Sequence, residues 1–400
     1  MKTTAPLQAQ RLVDQARSIG FELCGVAPAD DFEELRRLPE WLERGYAGEM
    51  RYLHDARRAS AESVLPGTRS VIVCALNYNA AFPYSAATDA IATTVGEAGT
   101  HKPRGWISRY AWGADYHDVM KRKLEELLTW MRAEFGAAFQ ARSYVDTGPV
   151  LERVAAKYAG LGWLAKNTSL INQQLGSWLF LGVILTDLEL TPSLRNAEAP
   201  PADLCGSCRR CIDACPTEAI VAPYVLDARR CIAYLTIELR GPIPLEFRPA
   251  MGNMVFGCDI CQDVCPWNRK APATAISEFL PRKISMNTPV ASVKQDPALH
   301  QEADISLFAP ALDWLVSLNE EEFRGVFRGS PVKRTKWRGL IRNVCIALGN
   351  SPIASENPSY SLIICRLEKL AADEDANIAE HAAWALKRLQ RANSGAVSTD

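Results

Sequence analysis

The sequence predicts a mixed chain, α/β or α+β, with a cysteine-rich middle and an all-helical C-terminal region. Three observations predict it. Helix-like and strand-like runs alternate up to about residue 200, as in a layered domain. Eight of the twelve cysteines crowd between Cys205 and Cys265. From about Ile305 onward, apolar residues recur at helical spacing alone. Organisation changes near residues 200 and 275, so three units are expected, 1–200, 201–275 and 276–400. That agrees with the roughly two to three domains such a length allows.

An amphipathic helix is expected around Leu12 to Ser18, a strand over Phe21 to Ala27 and a second helix over Phe32 to Arg44. A buried strand follows over Val71 to Tyr78, then an Ala/Thr-rich loop across Phe82 to Gly99. Tyr116 to Phe135 reads as helix, Gln140 to Val145 as strand, Pro149 to Tyr158 as helix and Leu179 to Leu188 as strand. In the last region Trp337, Ile341, Val344 and Leu348 follow one helical face, while Arg334, Arg338 and Arg342 share another. Two more helices, Ser361 to Ala371 and Ala376 to Gln390, complete a HEAT-like stack of helix pairs. With so few repeats, these helices are expected to lean on the preceding unit.

Cys205, Cys208, Cys211, Cys215 and Pro216 form C-x2-C-x2-C-x3-C-P, the arrangement of bacterial two-cluster ferredoxins, in which the fourth cysteine ligates the other cluster. A second run, Cys258, Cys261, Cys265 and Pro266, has Val255 where the full motif would start, and Cys231 is the substitute. One 4Fe-4S cluster is therefore expected on Cys205, Cys208, Cys211 and Cys265, the other on Cys215, Cys231, Cys258 and Cys261. Residues 201–275 are then a ferredoxin-like unit. Structural zinc is the competing use of C-x2-C pairs, but zinc ribbons pair two short knuckles, whereas a third cysteine followed by Cys-Pro wraps a cubane. Disulfides fit worse, because Met1 to Gly20 lacks the apolar core of a secretory signal and a reducing cytoplasm is the expected location. Cys24, Cys74, Cys345 and Cys365 sit in apolar patterns and are expected to be buried thiols.

The longest apolar run, Trp178 to Leu185, falls far short of the ~20 residues a membrane helix needs. Net charge is −1, which gives no global nucleic-acid signal. Charge is unevenly placed, however. Phe323 to Arg342 holds Arg324, Arg328, Lys333, Arg334, Lys336, Arg338 and Arg342 without one acid. Such a stripe suits a phosphate backbone, whose condensed counterions Lys and Arg displace; a solvated helix face would carry the same charges.

Two clusters in series pass single electrons and need a terminal acceptor. Gly160-Leu161-Gly162 with Ala165 fits the loose G-x-G-x-x-A dinucleotide pattern but follows a helix-like run, so it is rejected. No C-x3-C-x2-C triplet occurs, which removes a radical-initiating cluster. Asp115-Tyr116-His117 opens like a cobalt-ligating motif, yet Met120 stands where that motif wants Gly, leaving His117 as a helix-start residue. Composition and spacing thus reach a two-cluster redox protein without naming its substrate.

Seven runs then decide the resemblance: Leu65-Pro66-Gly67 ahead of Ser70 to Tyr78, Ile107 to His117, Val145 to Arg153, Gly162 to Asn172, Gly176 to Asp187, Cys231 to Gly241 and Gly257 to Asn268. In this order they resemble the epoxyqueuosine reductase family, and the resemblance covers essentially the whole chain. It implies an oxidoreductase of queuosine biosynthesis that removes the epoxide oxygen of epoxyqueuosine at the tRNA wobble position. The implied cofactors are base-off cobalamin and the two 4Fe-4S clusters. The implied partners are the tRNA and an external electron donor of the flavodoxin or ferredoxin type, with the protein a monomer. Residues 1–200 become a cobalamin-binding catalytic domain, and 276–400 a tRNA-binding region in which Lys333, Arg334, Lys336, Arg338 and Arg342 are the contacts.

The family's catalytic aspartate falls in the Val145 to Arg153 run, which makes Asp146 the proton donor. A general acid useful near neutral pH needs a carboxyl pKa raised by burial. The other use of Asp146 would be to cap the helix expected from Pro149. Corrinoid-lining positions carry over to Arg58, Ser108, Asp146, Leu170, Leu181, Ala233, Cys261 and Gln262, with Ser108 and Ala233 standing where relatives have cysteine and serine. Lys166 and Asn167 are polar within an apolar stretch and suit a pocket wall or an exposed turn. Two other classes compete. A dedicated electron carrier would need only the ferredoxin-like segment, and a corrinoid reductase of a small organohalide would have little use for basic C-terminal helices.

Overall fold

A computed structural model describes residues 9–30, 32–85, 102–194, 199–285 and 304–394. The Ala/Thr-rich stretch expected as a loop lies outside the described residues from residue 86 onward. Strands β1 (Leu23–Pro28), β2 (Ser70–Asn77), β3 (Ala141–Tyr144) and β4 (Leu179–Thr186) form one sheet in the order β1-β2-β4-β3, every neighbouring pair antiparallel. Of the two classes expected, the sheet is therefore α+β. Alternating helices and strands imply parallel crossovers only if successive strands pair, whereas β2 pairs with β4 across residues 78–178.

The pleat sends alternate residues of β2 to opposite faces. Ile72, Cys74 and Leu76 meet Leu12 and Ala16 of α1 (Gln10–Ile19), together with Met120 and Leu124 of α2 (Tyr116–Phe135). Val71 and Val73 meet Ala155 and Ala156 of α3 (Glu152–Tyr158). Each fully buried Leu or Ile in this sandwich contributes about 1.5–3 kcal/mol. Two glycines let the layers close. A Cβ on Gly25 would lie 2.3 Å from the Ala159 carbonyl oxygen, and one on Gly182 would lie 2.8 Å from Met120 Cε.

A second core joins the cysteine-bearing segment to the C-terminal helices. The parallel pair Trp106–Ile107 and Met254–Phe256 packs with α4 (Ile232–Ile237), α5 (Lys336–Asn350), α6 (Tyr360–Ala371) and α7 (Ala376–Asn393). The last region is not helical from its start: Asp304–Ser306 is a strand paired antiparallel with Lys283–Ser285. Arg342 departs from the expected basic stripe. It is 1% exposed, and its guanidinium donates to the carbonyls of Leu235, Leu239 and Gly241 at 2.6, 2.9 and 2.7 Å. Burial lowers its pKa to about 10. Beside it, Asn343 donates to the carbonyls of Thr236 and Val255. Arg342 thus staples α5 to the end of α4, and a side chain spent there faces no nucleic acid.

Candidate active site and cluster ligands

The cysteines of the 205–265 segment lie close to one another. The Cys211 thiol, pushed up to about 11 by burial, next feels Cys265, Cys205 and Cys208. Burial also raises Cys261, with Cys231, Cys211 and Cys215 adding to the rise, and raises Cys258, with Cys261 and Cys231 adding to it. Cys231 is likewise raised by burial, offset by the amides of Ala233 and Tyr234 at the start of α4. Among the described residues no three His, Cys, Asp or Glu side chains converge on the position of a single metal ion. Lys166 and Asn167 are not an exposed turn. Both are buried; Lys166 Nζ donates to the carbonyls of Gly206 and Cys208, and Asn167 Nδ2 to that of Cys261. They bolt the β-sheet unit to the cysteine loops.

Asp146 follows β3 and has a left-handed backbone, φ 57°, which costs an L-residue about 1–2 kcal/mol. It caps no helix, since α3 starts after Leu151. Its carboxyl is 68% exposed and differs from expectation: the neighbouring His117 imidazole holds its pKa below the ordinary carboxylate value, against the pull of desolvation. The nearby Tyr116 hydroxyl acts in the same direction. His117 Nε2 lies 3.7 Å from Asp146 Oδ2, just beyond hydrogen-bond distance, and has no hydrogen-bond partner. On the other side of the ring, Nδ1 is 2.7 Å from Asp115 Oδ1. Asp115 caps α2 through the amide of His117 and takes a second charge from Lys333 Nζ at 2.7 Å. Burial works against a proton on His117, but Asp115 and Asp146 outweigh it and raise its pKa to about 9. Glu152 moves the opposite way from Asp146: burial and then the Asp146 charge push it up to about 7.

A cavity of about 1030 Å³ opens beside Asp146. Its wall includes Tyr52, Arg58, Glu152 and Arg153, and continues to Tyr224, Val225, Leu226 and Ala228 of the cysteine-bearing segment. Ordinary small-molecule sites span about 300–1,000 Å³, so this one admits a ligand at the top of that range. Glu152 Oε1, buried without a partner, is an orphaned polar atom in its wall. Of the residues expected against a corrinoid, Arg58 and Asp146 line this cavity, whereas Ser108, Leu170, Leu181, Ala233, Cys261 and Gln262 are not in its wall. Ser108 is spent on Asp259, and Gln262 donates to Ser177 Oγ at 2.9 Å. Leu170 and Leu181 pack in the core beneath α3.

The basic residues other than Arg342 are exposed, and Lys333 and Arg334 reach this site. Arg334 bonds Glu238 through two nitrogens, at 3.1 and 2.9 Å, and lies over the Tyr52 ring. Arg338 pairs with Asp375 at 2.9 Å, Lys333 with Asp115, and Lys336 stands exposed at the start of α5.

Comparison with known proteins is consistent with this geometry. The family described as 4Fe-4S double cluster binding domain matches residues 204–268, and the one described as epoxyqueuosine reductase QueG, DUF1730, matches residues 58–147. The epoxyqueuosine reductase of Pseudomonas aeruginosa is 38% identical over 95% of this chain and 94% of its own. The chain belongs to the epoxyqueuosine reductase family. The Gloeobacter violaceus member is 43% identical, over 87% of this chain and 97% of its own. A crystal structure of epoxyqueuosine reductase with an epoxyqueuosine-modified tRNA-Tyr stem loop superimposes with a TM-score of 0.76 at 29% identity, covering 98% of this chain and 94% of that one. The Streptococcus thermophilus enzyme gives 0.73 at 27% identity, covering 98% and 95%.

Membership makes the chain an oxidoreductase and assigns the 204–268 segment to two 4Fe-4S clusters. The epoxyqueuosine reductase fold brings Asp146 to a cavity edge, as the resemblance implies, and adds His117, Asp115 and Glu152 to the site. His117 is the helix-start residue that the sequence suggests, but it is also more than that. The run Asp115-Tyr116-His117 carries a usable signal, because an N-cap carboxylate two residues ahead of a histidine can hold its ring. Of the four remaining cysteines, Cys24, Cys74 and Cys345 are buried as expected, while Cys365 is exposed.

Proposed function

We propose that this protein reduces the epoxide of epoxyqueuosine at the wobble position of tRNA, with Asp146 handing a proton to the departing oxygen. One observation carries the reading: the cavity beside Asp146 extends to Tyr224, Val225, Leu226 and Ala228 of the segment that bears the cluster cysteines, so the proton donor faces a space bordered by the electron-carrying segment. The clusters, on the two cysteine sets expected from the spacing, supply single electrons from an external donor of the flavodoxin or ferredoxin type. The volume of the cavity, its wall of apolar residues mixed with both cations and carboxylates, and the orphaned Glu152 Oε1 fit a large polar-edged cofactor. Cobalamin, with Arg58, Glu152 and Asp146 holding it, would supply a metal centre able to deliver reducing equivalents to carbon.

This chain's own residues do the rest. Removing an epoxide oxygen as water and leaving a double bond consumes two electrons and two protons. Asp146 is placed to pass protons because its carboxyl is exposed to the cavity and faces His117 Nε2 at 3.7 Å. Lys333 and Arg334 reach the site through Asp115 and Tyr52, Lys336 and Arg338 are exposed close by in the chain, and the four suit the phosphates of an anticodon stem loop, as the relative crystallised with such a stem loop supports. In this reading residues 1–200 are the catalytic unit, 201–275 the cluster unit and 276–400 the tRNA-facing unit of a cytoplasmic monomer. The test is complementation: expressing the chain in cells whose tRNA stops at epoxyqueuosine should restore queuosine. Persistence of the epoxide, with the protein expressed and iron-loaded, would exclude the reading.

A further inference from the structure

The reaction proposed above needs two protons per turnover, and one ring nitrogen of His117 faces the Asp146 carboxyl. A single carboxyl cannot supply both protons unless it is recharged. We infer that His117 is the proton reservoir for Asp146, joined to it through Nε2 and held from behind by Asp115. This inference rests on the epoxide-reductase reading for its substrate, and on the geometry alone for the pairing.

Three features of the geometry assign the role. First, Asp115 Oδ1 sits 2.7 Å from Nδ1, so Nδ1 carries a hydrogen toward Asp115 and the titrating position is Nε2, on the Asp146 side. Second, Nε2 is buried, has no hydrogen-bond partner and lies 3.7 Å from Asp146 Oδ2. That separation closes to a hydrogen bond with a small side-chain movement, as catalytic contacts do when substrate binds. Third, the ring is fixed by stacking on Tyr116, centroids 4.1 Å apart, and Tyr116 in turn stacks on Phe180.

The other groups that face the pair do not serve. Tyr116 is an acid too weak to release a proton, since burial pushes its phenol far up. Arg153 donates hydrogen bonds but stays charged. Lys333 reaches the pair only through the far oxygen of Asp115. Glu152 lies within reach of the Asp146 charge but makes no hydrogen bond to its carboxyl, and its Oε1 is buried without a partner. His117, raised to about 9, is charged at neutral pH and, among the described residues facing Asp146, both holds a proton and can give it up. The step balances simply: Nε2–H passes its proton to the Asp146 carboxylate, Asp146 passes it to the oxygen leaving carbon, and solvent recharges the imidazole. His117 never touches the epoxide, so it is a positioning and proton-supplying residue.

Two measurements on the iron-loaded, corrinoid-supplemented protein test the inference. With an epoxyqueuosine-bearing stem loop and a chemical reductant, wild-type turnover should fall about tenfold per pH unit above pH 9 as the reservoir empties. His117→Gln should lose about a hundredfold at pH 7 and lose that alkaline limb, and His117→Ala should be partly rescued by added imidazole. His117→Gln with wild-type turnover and an unchanged alkaline limb would overturn the inference while leaving the epoxide-reductase reading intact. The second readout needs no turnover. In ¹⁵N-imidazole NMR, His117 should titrate near 9 in the wild type and fall by at least about one pH unit in Asp146→Asn. Titration near the ordinary histidine value of about 6.5 in the wild type would sink the pairing. Absence of wild-type epoxide reduction at every pH, with a His117 titration near 9, would instead overturn the reading of the substrate.

Discussion

At the scale of single residues, the site runs on two carboxyls driven in opposite directions. Asp146 is held ionised by His117, while Glu152, buried and facing the Asp146 charge, is pushed up to about 7. Asp146→Asn should keep both clusters, read as about eight irons per chain, and lose epoxide reduction by about 10²-fold or more; normal turnover would remove Asp146 from the chemistry. The same pair predicts a pH dependence of stability. The folded-state pKa of His117 lies above its unfolded value of about 6.5, so its contribution is complete below about pH 6.5 and is lost as pH rises through 9. Thermal midpoints should therefore decline between those limits, and less so in His117→Gln. Equal declines in both proteins would show that the histidine is not coupled. Asp146 itself is legible in its motif, but the sign of its pKa shift is not. That sign comes from a histidine on another element, and nothing local to Val145 to Arg153 encodes it.

At the scale of elements, the sequence shows where helices and strands lie more clearly than how they pair. Tyr116 to Phe135 is helical between the expected bounds, because its apolar period is long and Asp115 caps it. Strand direction is not legible, since the partners β2 and β4 are separated by the whole of α2, β3 and α3. The cluster ligands are legible because cubane ligation fixes short spacings, and Cys231 can be found only as the missing member. Cys231 precedes α4, whose first amides face its sulfur, so one substitution should unload one cluster. Cys231→Ala should fall from about eight to about four irons per chain with α4 intact by circular dichroism; unchanged iron would mean that another residue completes the set. Gly25→Val tests the layer contact instead. Its side chain meets the Ala159 backbone oxygen, which cannot swing away, and such overpacking costs about 1–3 kcal/mol. A lower thermal midpoint is expected, and an unchanged one would mean that α3 shifts freely.

At the scale of the whole molecule, the C-terminal helices do not form a separate body, because their apolar faces complete the core that begins at Trp106 and runs through α4. This sharing sorts the basic residues by what they do. Arg342 reads as part of a surface stripe because helical spacing places it on one face with Arg334 and Arg338. That face of α5 leans on the end of α4, so the guanidinium at the inner end of the stripe is consumed by three backbone carbonyls. Lys336 and Arg338 remain outside, exposed to solvent. The two kinds of arginine should separate experimentally. Lys336→Glu combined with Arg338→Glu should weaken binding of a tRNA stem loop and flatten the slope of log affinity against log salt by about 0.7 for each phosphate that is no longer neutralised. The thermal midpoint should barely move, because exposed ion pairs contribute about 0–1 kcal/mol. Arg342→Met should do the reverse. It leaves buried carbonyls without donors, at a cost of about 2 kcal/mol or more, and whatever affinity the folded fraction retains should keep the wild-type salt slope. If instead Lys336→Glu with Arg338→Glu binds RNA with the wild-type slope, phosphate recognition lies elsewhere, and α5 serves only to buttress the cluster segment.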